Sequence, residues 1–138
     1  MATLNFVNSF KEALAEKVHN LGSDQLVVAL TNSSNAPVAT NTQLSDLTQI
    51  AYTNLSSRNI TTSSSSQTSG TYKLVLADLT LSASGGSVAT FRYIAIYNDT
   101  ATNDELIGWY DNGSDVSLSD GQSFNIDFDG TNGVLTLA

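Results

Sequence analysis

The sequence predicts a mainly β protein: a single antiparallel β-sandwich, jelly-roll-like, with one amphipathic α-helix at its N-terminal end. Three observations predict it. About eight short extended runs follow one another with turn-forming residues between them, the pattern of sandwiches and their relatives. Residues 124–128 (FNIDF) alternate Phe124, Ile126 and Phe128 with Asn125 and Asp127, as a half-buried strand does. One segment alone, residues 5–21, repeats its apolar positions at a helical period. The 138 residues make one domain, 1–138, long enough to bury roughly 68% of the surface of the unfolded chain.

The helix comes first. Val7, Phe10, Leu14, Val18 and Leu21 form a single apolar stripe, while Lys11, Glu12, Glu16, His19 and Asn20 fall mostly off it. Gly22 supplies the left-handed residue that ends many helices. The stripe is expected to cover an edge or a face of the sheet. Strands follow from about residue 25. Residues 25–31 (QLVVALT) read as a strand, and residues 32–42 as a polar loop holding the sole proline, Pro37. Residues 44–55 (LSDLTQIAYTNL) fit neither period. Leu44, Leu47, Ile50 and Ala51 suit a turn of helix capped by Ser45, whereas the end of the segment suits an approach to the next strand.

Residues 58–62 read as a short strand. Residues 63–70 (SSSSQTSG) are low-complexity and predict a hairpin tip or a mobile loop. Residues 72–81 are extended and mostly apolar, and residues 82–87 turn the chain.

The dominant feature is a long hairpin over residues 88–111. Its first arm carries the densest β-branched and aromatic run: Phe91, Tyr93, Ile94, Ile96 and Tyr97. Such a strand is apolar on both faces, so it is covered on both, centrally in a sandwich or at a subunit contact. Residues 98–104 (NDTATND) form the turn, because Asn and Asp bond their own backbone. The second arm holds the sole tryptophan, Trp109, which is expected in the core together with Phe91. Short strands at 116–118, 124–128 and 134–137 complete the chain, with turns at Asp120-Gly121 and Asp129-Gly130.

Charge is distributed unevenly. Residues 1–92 balance Lys11, Lys17, Arg58, Lys73 and Arg92 against Glu12, Glu16, Asp24, Asp46 and Asp78. Residues 93–138 carry no Lys or Arg, so the whole net charge of −8 sits there. Such a surface repels phosphate and argues against a nucleic-acid partner. It reads as a solvated face, with a cation site as the alternative, and it should look outward because burying unpaired carboxylates is costly. No apolar run approaches the roughly 20 residues that span a bilayer, so no membrane partner is expected. The chain lacks cysteine, and its N-terminus lacks the pattern of a secretory signal. Five Asn-x-Ser/Thr sequons, at Asn32, Asn54, Asn59, Asn98 and Asn112, read as products of composition.

Motifs for chemistry are sparse. His19, the sole histidine, reads as a solvated helix residue, since no Ser or Cys partner is identifiable for a triad. Asp104, Glu105 and Asp111 flank the hairpin, but paired acids alone do not make a glycosidase. Residues 127–133 (DFDGTNG) begin like a calcium loop, yet the twelfth position is Ala138 rather than Glu, so a turn is the better reading. No phosphate-cradling or dinucleotide motif is present. We therefore expect no enzyme, no catalytic residue, no metal and no cofactor.

In the order and spacing of its segments the chain resembles a family of small virion structural proteins of tailed bacteriophages, including cyanophages. The stretches that carry the resemblance are FVNSFKEALAEKVHNLG, QLVVALTN, LSDLTQIAYTN, FRYIAIYNDTATNDELIGWYDNGSDVSLSDG and FNIDFDGTNGVLTL. The resemblance is densest from Phe91 onward. It implies a capsid decoration or cement protein that binds the major capsid protein on the capsid exterior, is made in the host cytoplasm, and associates with copies of itself, for instance as a trimer. The alternatives are a tail or other virion component, or a carbohydrate-binding display domain on the virion. For the partner interface, Leu44, Leu47 and Ile50 stand out, because no regular strand or long helix buries them. Two readings remain: core, or a contact surface of the kind that clustered surface apolar groups often mark.

Overall fold

The computed structural model describes residues 2–138. Among them the chain forms an antiparallel β-sandwich built around the central hairpin. Strand β6 (Val88–Asn98) lies between β7 (Leu106–Leu118) and β2 (Leu26–Thr31), and the short β1 (Asn5–Phe6) closes the sheet beyond β7. Every pairing is antiparallel. All six residues of β2 are buried, as are Ile94, Ala95, Ile96 and Tyr97 of β6, so both faces of this sheet are covered where it is most apolar. The β-branched run of the first arm thus produces a central strand, as its two apolar faces require.

The facing layer is split in two. Strands β3 (Thr62–Thr68), β4 (Thr71–Leu76) and β9 (Leu135–Leu137) form one sheet, and β5 (Leu79–Ser82) pairs with β8 (Ser123–Ile126) in the other. Aromatic contacts join the layers. Phe91 meets Phe124 edge-on at 5.6 Å between centroids, and Tyr110 meets Phe128 at 6.1 Å. The buried side chains form one continuous cluster, to which Leu30, Leu74, Leu81, Phe91 and Ile96 all belong.

The N-terminal helix is shorter than its stripe predicts. Helix α1 spans Phe10–Ala15, and Asn5 and Phe6 ahead of it are extended. Sheet pairing wins there: Asn5 lies opposite Trp109, Phe6 opposite Gly108, and Val7 N–H donates to the Ile107 carbonyl at 3.2 Å. The helix ends before Gly22 as well. Lys17 takes a left-handed φ of 69°, its N–H donates to Leu14 O, and Val18 N–H reaches back to Ala13 O. That pair of bonds is a Schellman cap with lysine in the place glycine usually fills. Val7, Phe10 and Leu21 are nonetheless buried, so the stripe reports burial although one continuous helix does not deliver it.

Two further expectations change. Residues 63–70 hold a hairpin tip, but only at their end: most of them form β3, paired with β4, and the two-residue turn is Ser69-Gly70, both at positive φ. Trp109 is half-buried rather than core, because it stands opposite the exposed Asn5 at the sheet edge. Phe91 is fully buried, as expected. Residues 58–60 line the outer edge of β2 through a single bridge, Val27 with Asn59, and residues 116–118 belong to β7.

Candidate functional site

Residues 32–61 form an irregular strap along one side of the four-stranded sheet, and its course is fixed by hydrogen bonds at both ends. At the hairpin end, Leu44 N–H donates to Asp104 O and Leu106 N–H to Thr42 O, each at 3.0 Å. Within it, Leu44–Asp46 makes one 3-10 turn whose cap is Gln43, not Ser45; the side chain of Ser45 accepts from Gln43 Nε2 at 2.8 Å. The Asp46 carboxylate gathers Thr42 N–H, Thr42 Oγ1 and Gln43 N–H, bonds that hold its carboxyl below the usual carboxylate range.

The β2 end is anchored by Ile50 and Tyr52. Ile50 N–H donates to Leu30 O at 3.0 Å, and the Tyr52 hydroxyl accepts from Leu30 N–H at 2.9 Å while donating to Gln49 Oε1 at 2.7 Å. Arg58 stacks its guanidinium 3.7 Å from the Tyr52 ring centroid and donates to Val28 O. Burial pushes the Tyr52 hydroxyl above its ordinary value.

The strap carries Leu44, Leu47 and Ile50. All three are half-buried and packed against the core cluster, so each serves core and surface at once. Val38, in the same strap, is 50% exposed, and together with Leu137 it is one of two exposed large hydrophobic side chains among the described residues. Sequence periodicity missed Val38, since a lone valine beside Pro37 carries no periodic signal.

The acidic half behaves as its charge requires. None of its eight carboxylates is buried, and Asp99, Asp115, Asp120 and Asp127 are exposed. Asp111 is paired: Arg92 Nε lies 2.9 Å from Oδ1 and its Nη2 lies 3.2 Å from Oδ2, which holds the Asp111 carboxyl below the usual range. Asp129 caps its own turn by accepting from Thr131 N–H, Asn132 N–H and Asn132 Nδ2, and those bonds lower its carboxyl likewise. Its oxygens are therefore spent on a turn, the reading preferred for DFDGTNG. Among the described residues no group of three or more His, Cys, Asp or Glu side chains is placed to hold a metal ion.

His19 corrects the sequence reading most sharply. It is not solvated: its side chain is 5% exposed, beside the Phe10 ring, and its Nδ1 lies 3.0 Å from Asn98 Nδ2. Asn98 is itself fully buried, so its sequon cannot present an amide to a modifying enzyme. The two residues are 79 apart in sequence, and nothing local announces the pairing. Neither a protein-family model, nor a curated protein, nor a solved structure matches the chain.

Proposed function

We propose that the protein is a structural component of a tailed-phage virion, a capsid decoration or cement protein that binds the major capsid protein and neighbouring copies of itself. The observation that carries this reading is the order and spacing of segments from Phe91 to Leu137, with its resemblance to small virion proteins. The strap supports it. Val38 is exposed, Leu44, Leu47 and Ile50 are half-buried, and backbone bonds at Leu44 and Ile50 tie their segment to the sheet, which suits a rigid partner surface at low ordering cost.

Binding of the purified chain to undecorated capsids tests the proposal, with imaging of the decorated particle to read position and copy number. Hundreds of copies on the shell are the expected result. Tens or fewer at the tail would replace the reading with a tail component, and glycan binding without capsid binding would replace it with a display domain. Leu47→Ser and Ile50→Ser together should abolish binding but also lower stability, because both side chains touch the core. Val38→Asp separates the two effects: it should leave the melting temperature unchanged and still weaken capsid binding.

A further inference from the structure

The closed end of the central hairpin holds a buried polar cluster that the virion reading does not use. Asn98 stands at its centre. Its Oδ1 accepts the backbone N–H groups of Thr100 at 3.0 Å and Ala101 at 3.2 Å, which fixes the orientation of the amide. The Nδ2 is thereby turned toward Asp24 Oδ2 at 2.6 Å and His19 Nδ1 at 3.0 Å. An amide nitrogen can only donate, so Nδ1 must accept, and the proton of the neutral imidazole belongs on Nε2. Nε2 is buried and has no hydrogen-bond partner among the described residues.

Protonation would set a second donor against the first. An imidazolium carries a proton on Nδ1 as well, aimed at an amide that has only hydrogens to offer in that direction. Turning the amide over would relieve the conflict, but it would cost the Thr100 and Ala101 bonds and the bond to Asp24. The socket therefore accepts the neutral ring alone.

We propose that His19 is an acid-sensitive latch: neutral, it holds residues 16–24 against the hairpin turn at residues 98–101, and protonated, it leaves its socket and releases that segment. The charged groups that act on the ring are Glu105, just before β7, and Asp24, from the turn after α1. Phe10 of α1 covers it with an uncharged ring at 5.5 Å. The two carboxylates favour the imidazolium and burial disfavours it. Burial is the larger effect, so the folded value lies below the ordinary 6.5.

The sign follows from that order. Above 6.5 both folded and unfolded rings are neutral and the latch contributes fully. As pH falls below 6.5 the unfolded chain takes up a proton first, and stability declines until the folded ring titrates too. The released segment has room to move, because an open cleft of about 580 Å³ lies beside it, lined by Leu14, His19, Leu21, Tyr72 and Leu137 among others.

His19 is the sole histidine, so its ring resonances identify themselves in the full chain. An NMR titration from about pH 8 to about pH 5 stays above the range where ordinary carboxylates titrate. The imidazole midpoint should fall below 6.5, and the Thr100 and Ala101 amides should shift with that same midpoint while those of Val28 and Ala95 stay still. The unfolding equilibrium constant should rise by up to about tenfold per pH unit in this window for the parent, and His19→Gln should remove that dependence. Glu105→Gln should lower the midpoint further, since it removes one carboxylate that favours the charged ring. A midpoint at or above 6.5, or Thr100 and Ala101 signals that ignore it, would overturn the latch. So would an unchanged pH profile in His19→Gln. If that variant does not fold, the titration of the parent decides alone.

Discussion

Phe91 and Trp109 separate what a side chain's type predicts from what its position decides. Both are large aromatics of the central hairpin, yet Phe91 is fully buried beside Phe124 and Trp109 is half-exposed opposite Asn5. Truncating a buried Phe typically costs about 3–5 kcal/mol, so Phe91→Ala should lower the unfolding free energy by an amount in that range, read as a lower denaturant midpoint at unchanged slope. Trp109→Ala removes less buried surface and should cost clearly less. Equal midpoints for the two variants would mean that Trp109 is core after all. The burial of Phe91 was legible because it sits in a run apolar on both faces. That of Trp109 depended on which strand lay next to it, and no residue near Trp109 names Asn5 as its neighbour. His19 is the same case at longer range: its exposure was read from α1's polar side, whereas a partner 79 residues away decides it.

At the scale of elements, the hairpin and the turns were legible and the helix boundaries were not. The chain turns at Asp120-Gly121 with Gly121 at positive φ, and the turn expected at Asp129-Gly130 runs on to Gly133, which takes the positive φ and whose N–H donates to Asp129 O. The stripe from Val7 to Leu21 is real as a burial pattern, but β7 recruits Asn5 and Phe6 before the helix can start, and the Schellman cap at Lys17 ends it early. A non-glycine residue in the left-handed region costs on the order of 1–2 kcal/mol. Lys17→Gly should therefore stabilise the protein, by about 1 kcal/mol after the extra freedom glycine gives the unfolded chain, measured as a higher thermal midpoint. Gly108 makes the opposite case. A Cβ there would collide with the Asn5 carbonyl oxygen, so Gly108→Ala should push β1 off β7. Faster hydrogen exchange at Val7, whose N–H bonds Ile107 O, reports that displacement directly. Protection of Val7 unchanged from the parent would show that β1 yields by a small shift instead.

The whole molecule sets a few exposed and half-buried apolar side chains of the strap on a body whose excess charge is negative and outward, and these two features pull association in opposite directions. The sandwich class followed from strand count and turn spacing, and the outward acidic half followed from the cost of burying carboxylates. The strap's path could not follow, because it is held by backbone bonds to Leu30, Asp104 and Leu106 rather than by any period of its own. A net charge of −8 makes copies of this chain repel one another at long range. Screening shortens that repulsion to about 8 Å at physiological ionic strength. Contacts between copies through Val38 and the half-buried leucines should therefore tighten as salt rises from about 10 mM to about 150 mM, because repulsion falls while apolar attraction does not. On the proposed decoration reading, contact with a basic capsid surface should weaken over the same range, since screening removes attraction instead. Sedimentation of the isolated chain and capsid binding, each followed against salt, distinguish the two. A self-association that weakens with salt would place an ion pair between copies, and Arg92–Asp111, half-buried and already paired within the chain, would then be the first contact to test by Arg92→Gln.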